Sequence, residues 1–204
     1  GLEGNAMEKT LTFSPHFPAD WTHVSIKDCA VGQAKFSFDY ERRTDRISLE
    51  VSTKNAAGYK ITFAPALGIG TEFTSATVDG KQQEFKTHEK AQVTLAMVEI
   101  PITDETMQLD LGFVPTVEIL PALPKTKVGD NNKGLKIISV KKESSQLEIQ
   151  VEGLARRIYV LPITNAEKVA KVEGAALEND RLKINMPDGK SRQFVSHRII
   201  LHLE

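Results

Sequence analysis

Hydrophobic and polar residues alternate along most of this 204-residue chain. In residues 35–40 aromatic side chains recur at every second position, and in residues 46–51 aliphatic side chains do the same. A period of two places successive side chains on opposite faces of an extended chain, so each stretch predicts a strand with one buried face. The polar residues 41–45 between them predict the turn of a hairpin.

The same alternation returns in short segments that are separated by glycine, proline and Asp-Gly turns. Further predicted strands are residues 59–63, 74–78, 93–97, 107–111, 135–137, 147–151, 157–161, 182–184 and 198–203. No segment keeps an apolar period of 3.6 for three turns, so helix is limited to a turn near residues 166–170. The pattern predicts an all-β chain of antiparallel β-sandwich units, of jelly-roll or immunoglobulin-like type.

The chain changes character between residues 117 and 133, where two prolines are followed by Gly-Asp-Asn-Asn. Proline stiffens a connection, and the glycine and asparagine residues favour turns. We therefore predict a lead segment at residues 1–22 that follows an upstream domain, a first sandwich at 23–118, a linker at 119–133 and a second sandwich at 134–204.

The second half of the chain repeats features of the first half in the same order. The similar pairs are Arg46-Ile-Ser-Leu-Glu-Val51 with Gln146-Leu-Glu-Ile-Gln-Val151, Lys60-Ile-Thr-Phe-Ala-Pro65 with Arg157-Ile-Tyr-Val-Leu-Pro162, and Thr77-Val-Asp-Gly80 with Lys171-Val-Glu-Gly174. Strand alternation alone produces some of this similarity. The order of the pairs favours an internal duplication, which gives either two sandwiches in tandem or one larger sandwich with two similar halves.

Composition and charge exclude several classes of partner. A net charge of -1 and a pI near 6.6 provide no field that would attract nucleic acid. No apolar run approaches the roughly 20 residues that span a bilayer. Cys29 is the only cysteine, which excludes an internal disulfide and a zinc site with four cysteine ligands. We predict no nucleic-acid partner, no membrane span and no cofactor.

Candidate catalytic residues do not form a recognisable pattern. Glycoside hydrolysis requires two carboxylates across the scissile bond, and the sequence does not show that Asp39 and Glu41, or Asp104 and Glu105, converge on one. The five histidines lack the spacing of metal ligands. We therefore predict no catalytic residue and no metal site, and interpret these side chains as solvated or structural.

Residues 13–21, with the sequence FSPHFPADW, combine two prolines, three aromatic residues and the only tryptophan of the chain. This composition predicts a rigid, extended segment. Trp21 has two interpretations, because an exposed indole can stack on a sugar ring, whereas a covered one anchors the segment to the sandwich or to a neighbouring domain. The second is favoured, so we expect Trp21 to be buried or to face a docking partner.

The string FSPHFPADWTHVSIKDCAVGQAKFSFDYERR resembles the exit from the (α/α)6 barrel in bacterial, Bacteroidetes-type glycoside hydrolases and sugar phosphorylases. In that family a proline-rich stretch ending in tryptophan leads into a C-terminal β-sandwich module. The proline-rich lead is matched by Pro15, Phe17, Pro18 and Trp21, and the start of the module is matched by Val31-Gly32 with the following aromatic strand. The resemblance implies a periplasmic or extracellular glycoside hydrolase as the parent protein.

Two functions follow from these expectations, and a third, an enzyme in its own right, would require a cleft that brings acidic residues from both sandwiches together. The first is a non-catalytic C-terminal accessory region of a larger carbohydrate-active enzyme, which stabilises or shapes an upstream catalytic domain of the same polypeptide. The opening GLEGNAMEKT, in which Met7 is internal, leads us to expect that this chain is one piece of that polypeptide. The alternative is an independent carbohydrate-binding or adhesion-type tandem β-sandwich, in which Trp21 binds the carbohydrate.

Overall fold

The structure is a computed structural model that describes residues 1–90, 92–120, 129 and 133–204. It confirms the all-β prediction, because the regular elements of the described residues are strands apart from one 3-10 turn at Ala166–Lys168. The chain divides into two compact units, Gly1–Pro115 and Thr116–Glu204. Within the described ranges, no helix is long and apolar enough to cross a bilayer.

The first unit is built from two sheets. Its strands are β1 (Leu2–Asn5), β2 (Thr10–Phe13), β3 (His23–Val31), β4 (Ala34–Arg42), β5 (Arg46–Lys54), β6 (Lys60–Phe63), β7 (Ala66–Gly68), β8 (Glu72–Val78), β9 (Lys81–Gln82), β10 (Phe85–Lys90), β11 (Val93–Pro101) and β12 (Thr106–Val114). One sheet has the order β1-β2-β6-β11-β10, with β7 also paired to β11, and the other has the order β3-β4-β5-β12-β8-β9.

One strand pair in the first unit departs from the antiparallel expectation. Strand β2 runs parallel to β6, with Leu11 opposite Ile61 and Phe13 opposite Phe63. Parallel neighbours need a long connection, and here the whole β3-β4-β5 meander lies between them in the sequence. The predicted lead segment at 1–22 therefore supplies two strands to this sheet, while its link to an upstream domain stays a prediction.

Aromatic side chains dominate the core of the first unit. In β4 Phe36, Phe38 and Tyr40 are buried, whereas the intervening residues are more exposed, as the alternation predicts. The ring of Phe13 stacks on Phe38 with centroids 4.6 Å apart and lies 5.8 Å from the ring of Phe63. The two sheets thus pack face to face, and each buried phenylalanine contributes about 1.5–3 kcal/mol to the hydrophobic stabilisation.

The second unit is also built from two sheets. Its strands are β13 (Lys136–Glu143), β14 (Gln146–Leu154), β15 (Ile158–Pro162), β16 (Val169–Glu173), β17 (Ala176–Glu178), β18 (Arg181–Asn185) and β19 (Phe194–Leu203). The sheet orders are β13-β14-β19-β16 and β15-β18-β17. The buried core is mainly aliphatic and includes Leu147, Ile149, Val151, Leu161, Ile163, Leu182, Ile184, Ile199 and Leu201.

The two units share one strand order. The arrangement β4-β5-β12-β8 in the first unit corresponds to β13-β14-β19-β16 in the second, and β6-β11-β10 corresponds to β15-β18-β17. The similar sequence segments lie on corresponding strands, since residues 46–51 belong to β5 and residues 146–151 to β14. A duplication would produce this order, although the duplication itself stays a prediction.

The structural division between residues 115 and 116 lies just before the stretch in which the sequence changes character. Ile119 forms a β-bridge with Ile163, and the amide of Leu120 donates to the carbonyl of Pro162 at 2.9 Å. The start of the predicted linker at 119–133 thus pairs with the second unit. Residues 121–128 and 130–132 of that linker lie outside the described residues.

Candidate binding surface around Trp21

The proline-rich segment is joined to the first unit before it reaches Trp21. The amide of Ala64 donates to the carbonyl of Phe13 at 2.8 Å, and the amide of Ala66 donates to the carbonyl of Pro15 at 3.0 Å. Proline has no N–H to donate, so Pro15 fits a position at which its backbone is required only to accept a hydrogen bond through its carbonyl oxygen. The segment is therefore held as an extension of β2.

Two further hydrogen bonds fix the backbone at Trp21 itself. The amide of Trp21 donates to the carbonyl of Pro18 at 2.9 Å, which closes a four-residue turn. The next carbonyl, that of Thr22, accepts a hydrogen bond from the amide of Arg42 at 2.8 Å. Trp21 thus has a tight turn on one side and an anchor to the end of β4 on the other.

The indole of Trp21 is the outermost member of an aromatic stack. It stacks on Phe17 with ring centroids 6.1 Å apart and an interplanar angle of 21°. Phe17 in turn packs edge to face against Tyr40 at 5.1 Å and against Phe13 at 6.4 Å. Trp21 remains 52% exposed, so within this chain it is neither buried nor isolated. Its predicted role, as an anchor or as a sugar contact, stays open.

Polar side chains follow Trp21 on the exposed face of β3 and β4. The Nε2 atom of His23 lies 2.6 Å from Oδ1 of Asp39, and the hydroxyl of Ser25 donates to Oδ2 of the same carboxylate at 3.3 Å. Arg43 donates from Nε to Glu41 at 2.9 Å. This hydrogen bond and the charge of Arg43 lower the pKa of Glu41.

The direction of that shift argues against one catalytic role. A general acid in glycoside hydrolysis needs a carboxyl group with a raised pKa, so that it remains protonated near neutral pH. Glu41 is shifted the other way, and Asp39 is engaged by His23 and Ser25. At the surface Glu41 therefore forms an ion pair with Arg43, and Asp39 forms hydrogen bonds, while the absence of a catalytic residue stays a prediction.

The remaining predicted candidates lie elsewhere. Asp104 and Glu105 line an open depression of about 510 Å³ together with Asn55. His197 and His202 lie on β19, where His197 Nε2 is 2.6 Å from the carbonyl oxygen of Gly174 and His202 Nε2 is 3.0 Å from Oε1 of Glu173. Both histidines hold the end of β16. The described residues include no group of three potential metal ligands.

The sequence interpretation named Phe17 only as part of the proline-rich lead and did not predict that its ring packs beneath Trp21. It also did not single out the exposed apolar residues of β15. The exposed apolar residues of β15 could have been recognised from the sequence, because residues 158–161 are apolar at four successive positions. In a strand, such a run turns apolar side chains to both faces. Ile158 and Val160 are indeed 61% and 45% exposed.

Comparisons with known proteins give one likeness. No protein-family model matches the chain, and a search of curated proteins finds no match. A search of solved structures finds similarity to a GH127 β-L-arabinofuranosidase from Geobacillus stearothermophilus. The match has 13% sequence identity and a TM-score of 0.37, and it covers 95% of this chain and 31% of that chain. A likeness of this size carries no argument about function.

Proposed function

We propose that this chain is a non-catalytic accessory β-sandwich region of a larger carbohydrate-active enzyme, in which it stabilises or shapes the catalytic domain. The proposal is carried by the fixed but half-exposed indole of Trp21. A side chain that is already held in place loses little conformational entropy when a partner covers it, and its remaining apolar surface gains from burial. Trp21 is thus suited to be covered by a neighbouring domain of the same polypeptide.

Two further features support the proposal. The carboxylates near Trp21 are engaged by basic and hydroxyl groups, which favours a non-catalytic surface. The resemblance of residues 13–21 to the exit of a bacterial helical barrel supplies the class of the parent enzyme, a periplasmic or extracellular glycoside hydrolase. An internal duplication accounts for the common strand order of the two units and belongs to the same proposal.

The test compares this chain alone with the full-length polypeptide that contains it. Hydrogen exchange read by mass spectrometry resolves the peptide covering residues 14–22. We expect its amides to exchange more slowly in the full-length protein than in the isolated chain, because a docked domain excludes water from Trp21. In the full-length protein, Trp21→Ala should remove that protection and lower the thermal midpoint of the catalytic domain.

Met97→Ala serves as the matched control, since Met97 is an exposed apolar residue of the same unit at 41% exposure. It should leave the exchange of residues 14–22 and the midpoint of the catalytic domain unchanged. A reading frame that encodes no further domain, or equal exchange in the two proteins, would overturn the proposal.

The alternative is an independent carbohydrate-binding or adhesion-type tandem sandwich. It is favoured by the position of an exposed indole close in sequence to hydrogen-bonding groups such as His23. In this case the isolated chain should bind a neutral polysaccharide, and Trp21→Ala should abolish binding without changing the far-ultraviolet circular dichroism.

A further inference from the structure

The three-stranded sheet of the second unit has an outer face that differs from an ordinary solvated face. On its inner face Leu161, Leu182 and Ile184 are buried. On the outer face of β15, Ile158 and Val160 are exposed where polar side chains would normally meet solvent. Two adjacent aliphatic residues thus provide an apolar strip beside β18.

Basic side chains of β18 lie next to this strip. Lys183 is opposite Val160 in the strand register, and Arg181 is opposite Pro162. Alternate residues of one strand share a face, so both cations lie on the same side as Ile158 and Val160. On the other side of β18, Glu178 of β17 is opposite Arg181.

These residues enclose an open depression of about 570 Å³, lined by Val160, Glu178, Asn179, Arg181 and Lys183. Asn179 lies in the tight turn between β17 and β18, where it and Asp180 both have positive φ values, 47° and 59°. This is the geometry of a two-residue hairpin turn, which fixes the rim of the depression. The volume falls within the roughly 300–1,000 Å³ that is typical of small-ligand sites.

The charge of the depression is only partly balanced within the protein. Lys183 reaches the carboxylate of Glu178 at 3.9 Å, which is a long ion pair. Among the residues that the structure describes, Arg181 makes no ion pair, although Glu178 is opposite it in the register. Two cations therefore face one anion, and a free guanidinium can bind a carboxylate through two parallel hydrogen bonds.

We infer that this outer face of β15, β18 and β17 binds the uronate units of an acidic polysaccharide, an inference that rests on the proposed function. The aliphatic strip contacts the C–H face of the sugar ring, and Arg181 and Lys183 bind its carboxylate. The amide of Asn179 is placed to bind a hydroxyl group. Two exposed aliphatic residues are too few for a stable protein interface of about 800 Å² per partner, which favours a small ligand unit.

The experiment is affinity electrophoresis of this 204-residue chain in gels that contain polygalacturonate. The matched probe is fully methyl-esterified polygalacturonate, in which the same sugar chain lacks the charge. We expect retardation by the acidic polymer and none by the ester. Arg181→Gln should weaken binding at least tenfold, and the double variant Ile158→Ser with Val160→Ser should weaken it several-fold with no change in charge.

Arg46→Gln is the control, because it removes an equal charge from an exposed strand position in the first unit. It should bind as the parent chain does, and the thermal midpoints of all variants should be unchanged. The inference is wrong if polygalacturonate does not retard the chain, or if Arg46→Gln weakens binding as much as Arg181→Gln does. It is also wrong if the chain binds equally well to the ester, or to poly-glutamate, a polyanion without sugar rings.

These outcomes are independent of the test of the proposed function, which measures exchange at residues 14–22 of the first unit. Loss of polygalacturonate binding would leave a docked Trp21 unaffected, and an unprotected Trp21 would leave the depression on β18 unaffected.

Discussion

The two units use the same strand order around different cores. In the first unit the core is rich in phenylalanine and tyrosine, whereas the fully buried side chains that the structure describes in the second unit are aliphatic. Strand order depends on the alternation of apolar and polar positions, and many sets of apolar side chains satisfy the same alternation. The alternation therefore determines which residues face inward in both units. It does not determine how large those inward side chains are.

The units also differ beside the corresponding strands β6 and β15. In the first unit β2 pairs with β6 and adds Leu11 and Phe13 to the core. In the second unit, β18 is the only described strand that pairs with β15. The first unit therefore has a broader sheet and larger inward side chains, and the second has exposed aliphatic residues on β15. Each unit thus presents a different surface on a common framework.

The largest expected effect comes from β2, a strand that has no counterpart in the described part of the second unit. Phe13 is buried and packs against Phe38, Phe63 and Phe17, so Phe13→Ala should destabilise the first unit by about 3–5 kcal/mol. The measurement is hydrogen exchange in urea, resolved by peptide, so that each unit is followed by its own strands. We expect loss of protection in β4 and β6 and unchanged protection in β14 and β19.

Ile149→Ala is the counterpart in the second unit, where Ile149 is fully buried on β14. It should cost about 2–5 kcal/mol and reverse the pattern of protection. Equal loss of protection in both units for either variant would mean that they unfold as one cooperative body, and the comparison of separate cores would fail.

A smaller effect is expected at the two glycines that end the similar strings and lie just beyond β8 and β16. Gly80 and Gly174 both have positive φ values, 74° and 80°, which disfavour any residue with a Cβ atom. At Gly80 a Cβ would meet open space, whereas at Gly174 it would lie 2.2 Å from the carbonyl oxygen of Arg198. Gly80→Ala should thus cost about 1 kcal/mol from backbone strain, and Gly174→Ala roughly 2–4 kcal/mol when the clash is added.

Urea unfolding monitored by circular dichroism measures both variants. Asn replaces glycine at positive φ with less strain, so Gly80→Asn should recover most of the loss at the first turn. Gly174→Asn should recover little, because the clash with Arg198 remains. Equal costs for the two alanine variants would show that the backbone at Gly174 relaxes, and that the turns are more alike than their contacts indicate.

Much of the fold could be predicted from the sequence because strand alternation is a local signal. The buried residues of β4 and β5 follow the predicted period of two, and the Asp79-Gly80 turn closes the β8–β9 hairpin. Strand β10 was not predicted, since its sequence FKTHEK has a single apolar residue. Strand β10 is held in place by its antiparallel hydrogen bonds to β11, and these cannot be recognised from the sequence of β10 itself.

The parallel pairing of β2 with β6 could not be predicted for a different reason. The two strands are separated by about fifty residues, and no local pattern specifies which edge a distant strand will join. The same limit applies to the surfaces. Trp21 was identified from composition, but the Phe17 and Tyr40 rings beneath it meet only in the folded chain. The depression at Arg181 likewise depends on three strands from one sheet coming together.

The smallest expected effects concern an exposed carboxylate in each unit. The hydrogen bond from Lys171, with that from His202, lowers the pKa of Glu173, and Arg43 lowers the pKa of Glu41 in the same way. A carboxyl group whose pKa is lower in the folded state stabilises the protein above its unfolded pKa, and that contribution is lost as the pH falls through the folded value. Because both groups are exposed, each contribution is small and is screened by salt.

Glu173→Gln and Glu41→Gln should therefore each slightly lower the thermal midpoint at pH 7, and the effect should disappear at a pH low enough to protonate the parent carboxyl groups in the folded state. The two variants should show the same pH window, since both shifts have the same sign, and 1 M salt should reduce both effects at pH 7. Thermal unfolding over a pH series from 7 into the acid range, at two salt concentrations, is the measurement.

Glu173 has a second hydrogen-bond partner in His202, whereas the side chain of Glu41 bonds to Arg43. His202→Gln should therefore reduce the effect of Glu173→Gln and leave the effect of Glu41→Gln unchanged. An effect of Glu173→Gln that does not decline as the pH falls would show that this side chain stabilises the end of β16 by packing, and the carboxylates of the two units would then differ in kind.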